Sequence, residues 1–198
     1  SHPACLFLFP RMNTIKTLLL GLGLSLAAAL PAWAQKVRLV TSMGDIVVEL
    51  DAEKAPRTVA NFVQYVKAKH YDGTVFHRVI ETFMIQGGGM RADLSQKPTR
   101  PPIPLESRNG LSNARGTIAM ARTSDPESAT SQFFITVVDN PRLDAEQSRD
   151  GHGYAVFGRV VEGMEVVDRI KSVPVAPRGM HQHVPVTPVT LQKAILEK

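Results

Sequence analysis

The sequence predicts a mainly β fold with two helices. Short runs of β-branched and aromatic residues recur along the chain, separated by loops rich in Gly, Pro, Ser and Asp. Only two stretches space their apolar residues three and four apart, as an amphipathic helix does. Many short strands with few helices favour a barrel or a sandwich, and this pattern alone does not decide between them.

The first predicted element is a β-hairpin. Two β-type runs, at 37–41 and 45–50, flank a Ser-Met-Gly segment at 42–44 that is typical of a tight turn. In the second run, alternate residues from Ile46 to Leu50 are apolar, which places them on one face of the strand.

A helix is predicted to begin at Pro56. Proline is favoured in the first helical turn, because the N–H that it lacks has no helical acceptor there. Its apolar residues follow at helical spacing: Val59, Phe62, Val63 and Val66. Gly73, shortly beyond, is typical of a helix stop.

The rest of the chain predicts further short strands and a second helix. The β-type runs are 75–80, 84–86, 117–121, 133–137, 155–161 and 189–196. The second helix is indicated by Met164, Val167 and Ile170. Two histidines, His181 and His183, lie close together, but without a third ligand nearby they are a weak metal signal. We expect a plain loop there and no metal.

The N-terminal 34 residues are predicted to be a cleavable signal peptide. Lys16 precedes an apolar run at 18–30, and residues 31–34 supply a small-x-small cleavage site. The alternative is a membrane anchor, but the run is shorter than the roughly 20 residues that a membrane-spanning helix needs. We therefore expect export without stable membrane insertion.

Cleavage after Ala34 would leave a single domain at 35–198, which is long enough for a substantial core. Residues 1–11 are interpreted as an over-extended start, with Met12 as the initiator. The only cysteine, Cys5, precedes the cleavage point, so disulfides and thiol chemistry are not expected in the mature chain. The formal charge is +5, and the basic residues are scattered along the chain rather than grouped in a Lys/Arg block, which argues against a nucleic-acid partner.

Two blocks in the middle of the chain carry the most specific signal. The first, at 76–90, reads FHRVIETFMIQGGGM. The second comprises GTIAMAR at 116–122 and SQFFI at 131–135. Together they resemble the signature blocks of the cyclophilins, which are peptidyl-prolyl cis-trans isomerases. The resemblance extends more loosely from about residue 36 to the C-terminus.

The resemblance decides the fold and indicates an activity. It implies a closed eight-stranded antiparallel β-barrel capped by two α-helices. It implies an isomerase that accelerates rotation about X-Pro bonds without a cofactor. We expect a periplasmic monomer whose partners are proline-containing peptides and exported proteins that are unfolded or still folding. The alternative is a binding module or chaperone that holds proline segments without important turnover.

The resemblance also assigns candidate roles to residues. Arg78 matches the arginine that points at the proline amide, and its guanidinium stays protonated at working pH. The positions that match the walls of the proline pocket are Phe83, Met84, Phe134 and Leu143. Adjacent strand residues face opposite ways, so Phe133 is expected in the core.

Polar and rim positions complete the predicted site. Gln86 and Gln132 match residues that hold the substrate backbone or orient the arginine. Ala121 and Arg122 match positions that bind the peptide, partly through main-chain groups, and Tyr154 matches a position on the pocket rim. Arg122 stands where many eukaryotic members carry asparagine.

Overall fold

The computed structural model describes residues 34–197, so the predicted signal peptide lies outside the described residues apart from Ala34. The strands are β1 Lys36–Thr41, β2 Gly44–Leu50, β3 Thr74–Val75, β4 Arg78–Ile80, β5 Met84–Gly87, β6 Thr117–Met120, β7 Phe133–Thr136, β8 Val156–Glu162, β9 Val175–Arg178, β10 His181–Pro185 and β11 Thr190–Leu196. The helices are α1 Pro56–Lys67 and α2 Met164–Lys171, with a short 3-10 turn at Pro141–Leu143.

Nine strands form one antiparallel sheet in the order β3-β11-β1-β2-β8-β6-β7-β5-β4. The end strands β3 and β4 are separated in the chain only by Phe76 and His77. Three residue steps span at most about 11 Å, so the two ends of the sheet must approach each other. The result is a strongly curled half-barrel.

The predicted mainly β fold with two helices is confirmed, and the predicted strand count is corrected. The main sheet has nine strands rather than eight. The run predicted at 75–80 divides into β3 and β4, because β3 pairs with β11 whereas β4 pairs with β5. Among residues 34–197 no ladder joins β3 to β4, so full closure of the barrel stays a prediction.

The main core lies inside the curled sheet, under α1. Phe62 on α1 packs against the rings of Tyr71, Phe133 and Phe157, with centroids 5.1–5.7 Å apart. All four apolar residues predicted for this helix are buried. Burial of each large side chain contributes about 1.5–3 kcal/mol, so the aromatic cluster holds the helix on the sheet.

The segment predicted as a plain loop is a β-hairpin. β9 and β10 pair in a separate two-stranded sheet, and β10 lies alongside β4. Prolines at positions 177 and 185 argue against strands in the sequence, because proline cannot donate to a ladder. The hairpin nevertheless forms, and its packing against β4, a distant part of the chain, favours it over a plain loop.

The N-terminus of α1 is capped from a distant loop. Ala55, the residue before the helix, offers no side-chain cap. Glu106 replaces it: its carboxylate accepts the N–H of Arg57 at 3.1 Å, and the N–H and hydroxyl of Thr58 at 2.8 and 2.7 Å. A carboxylate is favourable here because the unpaired N–H groups give the helix start a partial positive charge.

We expect Glu106→Ala to lower the free energy of unfolding by about 1–2 kcal/mol, since it removes the cap of α1. Urea unfolding followed by circular dichroism measures this. Glu127→Ala is the matched control, because Glu127 is exposed and its carboxylate makes no hydrogen bond or ion pair among the described residues. Equal stability of the two variants would contradict a capping role.

Candidate active site

The site is built on a row of residues that crosses four neighbouring strands. Arg78 on β4 lies opposite Gln86 on β5, Gln86 lies opposite Phe134 on β7, and Phe134 lies opposite Ala119 on β6. Directly opposed residues project from the same side of a sheet. The register therefore presents these four side chains on one face.

A small apolar cluster covers this face, away from the main core. Its buried members are Met84, Ala119, Phe134 and Val156, and the residues packed on it include Phe83, Ala121, Leu143 and Tyr154. Phe133 belongs to the main core instead. The two adjacent phenylalanines thus face opposite ways, as the sequence predicts.

All ten predicted site residues line one cavity of about 720 Å³. They are Arg78, Phe83, Met84, Gln86, Ala121, Arg122, Gln132, Phe134, Leu143 and Tyr154. Six further residues line the cavity without having been predicted from the sequence: His77, Met90, Met180, His181, Gln182 and His183. The last four belong to the tip of the hairpin. The structure brings the predicted residues together, while their individual roles stay predictions.

Arg78 is oriented by two glutamines. Its Nη1 atom donates to Gln86 Oε1 at 3.3 Å, and Gln86 Nε2 donates to Gln132 Oε1 at 2.9 Å. A Cβ at Gly89 would lie 2.5 Å from Gln132 Cγ, so only glycine leaves room for the second glutamine. This requirement accounts for part of the triple-glycine run next to the site.

His77, beside Arg78, is buried and contributes no charge at neutral pH. Burial, and secondarily the nearby His181, lower the pKa of His77 to about 4. The two imidazole rings lie 6.5 Å apart. The positive charge at this end of the cavity is therefore that of the Arg78 guanidinium.

Arg122 is held by contacts within the protein, and its side chain is only 2% exposed. Its Nη2 donates to Asp150 Oδ2 at 2.5 Å, and its Nε donates to the carbonyl oxygen of Gly153 at 2.9 Å. Its guanidinium carbon lies 4.6 Å from the ring centre of Tyr154, within cation–π range. Tyr154 in turn packs edge-on against Phe134, with centroids 5.6 Å apart.

Asp150 anchors this arrangement. Its second carboxylate oxygen accepts the N–H groups of His152 and Gly153 and the hydroxyl of Ser148. The Arg122 hydrogen bond first, and these donors after it, hold the pKa of Asp150 well below its usual range. We call Asp150, Arg122 and Tyr154 the rim clamp, because they connect the 144–154 loop to the apolar floor at Phe134.

Within the described part of the chain, no group of three or more His, Cys, Asp or Glu side chains is placed to hold a metal ion. Across residues 34–197, neither helix has the length and apolar character needed to cross a bilayer. What the cavity does offer is one guanidinium positioned by amides next to an apolar floor. That arrangement suits binding and hydrogen bonding of a neutral, partly apolar group.

Comparison with known proteins identifies the family. Residues 36–195 match the family model of the cyclophilin type peptidyl-prolyl cis-trans isomerase/CLD. The chain is 54% identical over 179 residues to peptidyl-prolyl cis-trans isomerase A of Dickeya dadantii, covering 88% of this chain and 93% of the relative. It is 51% identical over 159 residues to isomerase B of Escherichia coli, covering 80% and 97%.

A solved structure shows the same fold. The cyclophilin type peptidyl-prolyl cis-trans isomerase of Cryptosporidium parvum, crystallised in the presence of the dipeptide Ala-Pro, superposes with a TM-score of 0.69 at 26% identity. The match covers 83% of this chain and 99% of that one. The family match over most of the chain, the high identity to bacterial relatives and the shared fold agree, and this chain belongs to the cyclophilin-type peptidyl-prolyl cis-trans isomerases.

Proposed function

We propose that this isomerase accelerates X-Pro rotation in exported proteins as they fold, with Arg78 as its catalytic residue. One observation carries the assignment of Arg78: a half-buried guanidinium is oriented by Gln86, a neutral side chain, at the edge of an apolar cavity. A neutral partner positions the guanidinium without cancelling its charge. The remaining N–H groups can then donate to a substrate.

The chemistry needs no covalent step. Amide resonance sets a barrier of about 18–20 kcal/mol to rotation of a peptide bond. In the twisted state the prolyl nitrogen regains its lone pair and can accept a hydrogen bond. Arg78 would donate to that lone pair and so favour the twisted state over the planar one. Each tenfold acceleration corresponds to about 1.4 kcal/mol, and one positioned donor contributes roughly two to three times that in a site from which water is excluded.

The apolar floor would bind the proline ring. Met84 and Phe134 are 1% and 4% exposed and form the base of the cavity, with Phe83 and Leu143 beside them. Contact with the ring removes water from around the guanidinium, which strengthens its hydrogen bond. The Ala-Pro dipeptide present with the Cryptosporidium parvum relative supports a proline-containing ligand for such a cavity.

The rim clamp would position the cavity wall rather than contact the reacting bond. The Arg122 side chain is fully engaged with Asp150, Gly153 and Tyr154. It is therefore placed to fix the Tyr154 ring against Phe134, whereas the main chain next to Ala121 remains the predicted contact with the peptide. The proposed positioning role belongs to the Arg122 side chain, and the predicted peptide contact through the main chain at Ala121 and Arg122 stays a prediction.

The role in export is supported by the N-terminal sequence. A positive segment, an apolar run and a small-x-small site precede residue 35, in the order of a secretory signal. The described domain begins with β1 at Lys36, directly after the proposed cleavage point. A periplasmic isomerase would meet client chains as they emerge unfolded, when X-Pro exchange takes tens of seconds or longer unaided.

We expect Arg78→Ala to lower kcat/KM on a short X-Pro peptide by at least roughly a hundredfold, or about 2.7 kcal/mol of transition-state stabilisation. Arg78→Lys should also be poor, since a point charge does not reproduce the planar fork. Exchange spectroscopy of the peptide measures turnover. Arg159→Ala is the control, because this exposed arginine pairs with Glu49 and does not line the cavity.

Near-normal turnover by folded Arg78→Ala would exclude the mechanism. Peptide binding without turnover by the unmodified protein would favour the binding-module alternative.

We expect Asp150→Ala to lower kcat/KM by roughly threefold to tenfold, mainly by raising KM. A less rigid cavity wall weakens binding of the substrate and of the transition state by the same amount, so kcat changes little. Asp150→Glu should recover part of the loss by restoring the carboxylate. Glu146→Ala is the control, since Glu146 lies in the same loop and pairs only with Arg108 among the described residues. Unchanged kinetics in Asp150→Ala would show that the clamp does not position the wall.

We expect the exported protein to begin at Gln35. Intact-mass measurement of protein recovered separately from the periplasmic and the membrane fractions tests the export proposal independently of activity. A mass that still includes residues 18–30 would instead support a membrane anchor.

A further inference from the structure

The β9–β10 hairpin borders the active cavity on the side away from the apolar floor. Residues 180–183 at its tip line the same cavity as Arg78. Met180 is 95% exposed, the highest value among the large apolar residues of the described chain. A methionine side chain is flexible and polarisable, which suits contact with apolar groups of varied shape.

The hairpin is held against the domain, so its tip keeps a defined place. Val184 on β10 is 5% exposed, and β10 lies alongside β4, the strand that carries Arg78. From the other strand, Arg178 Nη1 donates to the carbonyl oxygen of Ala92 at 2.9 Å. Both strands of the hairpin are therefore anchored next to the site.

A local distortion turns successive hairpin residues toward the cavity. In a regular strand, neighbouring side chains face opposite ways. Here His181, Gln182 and His183 all line the cavity. The register shifts between His181 and Val184, and His183 has a φ of 57°, a backbone conformation that is unfavourable for a residue with a side chain. Bulges of this kind re-aim side chains and are common beside active sites.

The sheet geometry gives the distance from the proline position to the hairpin. Phe134, Gln86 and Arg78 lie opposite one another on successive strands. Two steps of about 4.8 Å between adjacent strands put Arg78 about 10 Å from Phe134, and β10 packs beside β4 just beyond it without joining the sheet. An extended peptide covers about 3.3–3.6 Å per residue. A substrate with its proline on Phe134 therefore reaches the hairpin three or four residues along its chain.

We propose that the hairpin tip is a second binding subsite, in which Met180 contacts an apolar side chain of the substrate three or four residues from the proline. This subsite rests on the proposed function of the cavity, since the proline ring on Phe134 sets the distance. It would make the enzyme favour clients with an apolar residue at that separation. Proteins that are still folding expose such apolar residues, whereas folded proteins bury most of them.

Two series of peptides test the subsite. One places X three or four residues before the proline (X-Ala-Ala-Pro-Ala-Ala-Ala and X-Ala-Ala-Ala-Pro-Ala-Ala-Ala). The other places X three or four residues after it (Ala-Ala-Ala-Pro-Ala-Ala-X and Ala-Ala-Ala-Pro-Ala-Ala-Ala-X). X is either Leu or Ser, so both chain directions and both separations are covered. We expect the unmodified protein to turn over the Leu peptide about threefold to tenfold better in one series, the scale of one or two buried methylene groups. Met180→Ser should bring that Leu-to-Ser ratio close to one.

Val186→Ser is the matched control, because Val186 is 65% exposed and does not line the active cavity; it should keep the ratio of the unmodified protein. Equal turnover of Leu and Ser peptides in both series would overturn the proposal, as would a preference that survives in Met180→Ser.

The methyl resonance of Met180 gives a second readout that needs no turnover. If Arg78→Ala is inactive but its Met180 methyl shifts with the Leu peptide and not the Ser peptide, the subsite stands. If Arg78→Ala remains active, the proposed mechanism fails and the methyl shift still decides the subsite.

Discussion

The register of four neighbouring strands is the constraint on which the site depends. Arg78, Gln86, Phe134 and Ala119 share one face only because β4, β5, β7 and β6 pair as they do. A slip of one residue in any of these pairings would turn a side chain of the row into the main core. Phe133 opposes such a slip, because its ring is enclosed by Phe62, Tyr71 and Phe76. The packing of the core thus fixes the geometry of the opposite face.

Features outside the row mainly reduce the freedom of the groups within it. Gln132 limits the rotamers of Gln86, and Gln86 limits those of Arg78. On the opposite side, Asp150 restrains Arg122, which restrains the Tyr154 ring. A long side chain loses up to about 2 kcal/mol of rotamer freedom when it is immobilised. Folding has already ordered these groups, so substrate binding does not have to order them again.

Local sequence patterns predicted the elements whose own residues determine them. The apolar spacing of α1 and the turn at 42–44 were both correct. The two signature blocks contain eight of the ten predicted residues that line the cavity, and the looser resemblance beyond the blocks supplied Leu143 and Tyr154. The failures arose where distant contacts decide the structure. Strands β9 and β10 contain prolines and lack alternation, and β10 packs against the distant β4. The 75–80 run splits because its two parts pair with different strands, β11 and β5. The cap from Glu106 likewise comes from 48 residues away, so no pattern around Pro56 indicates it.

Arg78 differs from the structural arginines of this domain in the chemical group to which its guanidinium is bonded. Arg38, Arg115, Arg122 and Arg159 each lie within 3.3 Å of a carboxylate oxygen, whereas Arg78 has no ion pair among the described residues and bonds to an amide. A carboxylate in place of Gln86 would orient the guanidinium equally well, but it would neutralise the charge that a prolyl nitrogen must feel. An arginine without any partner would keep its charge, but its guanidinium would have no fixed orientation. The glutamine avoids both defects, and the burial of uncharged His77 beside it leaves the arginine as the dominant charge at that end of the cavity.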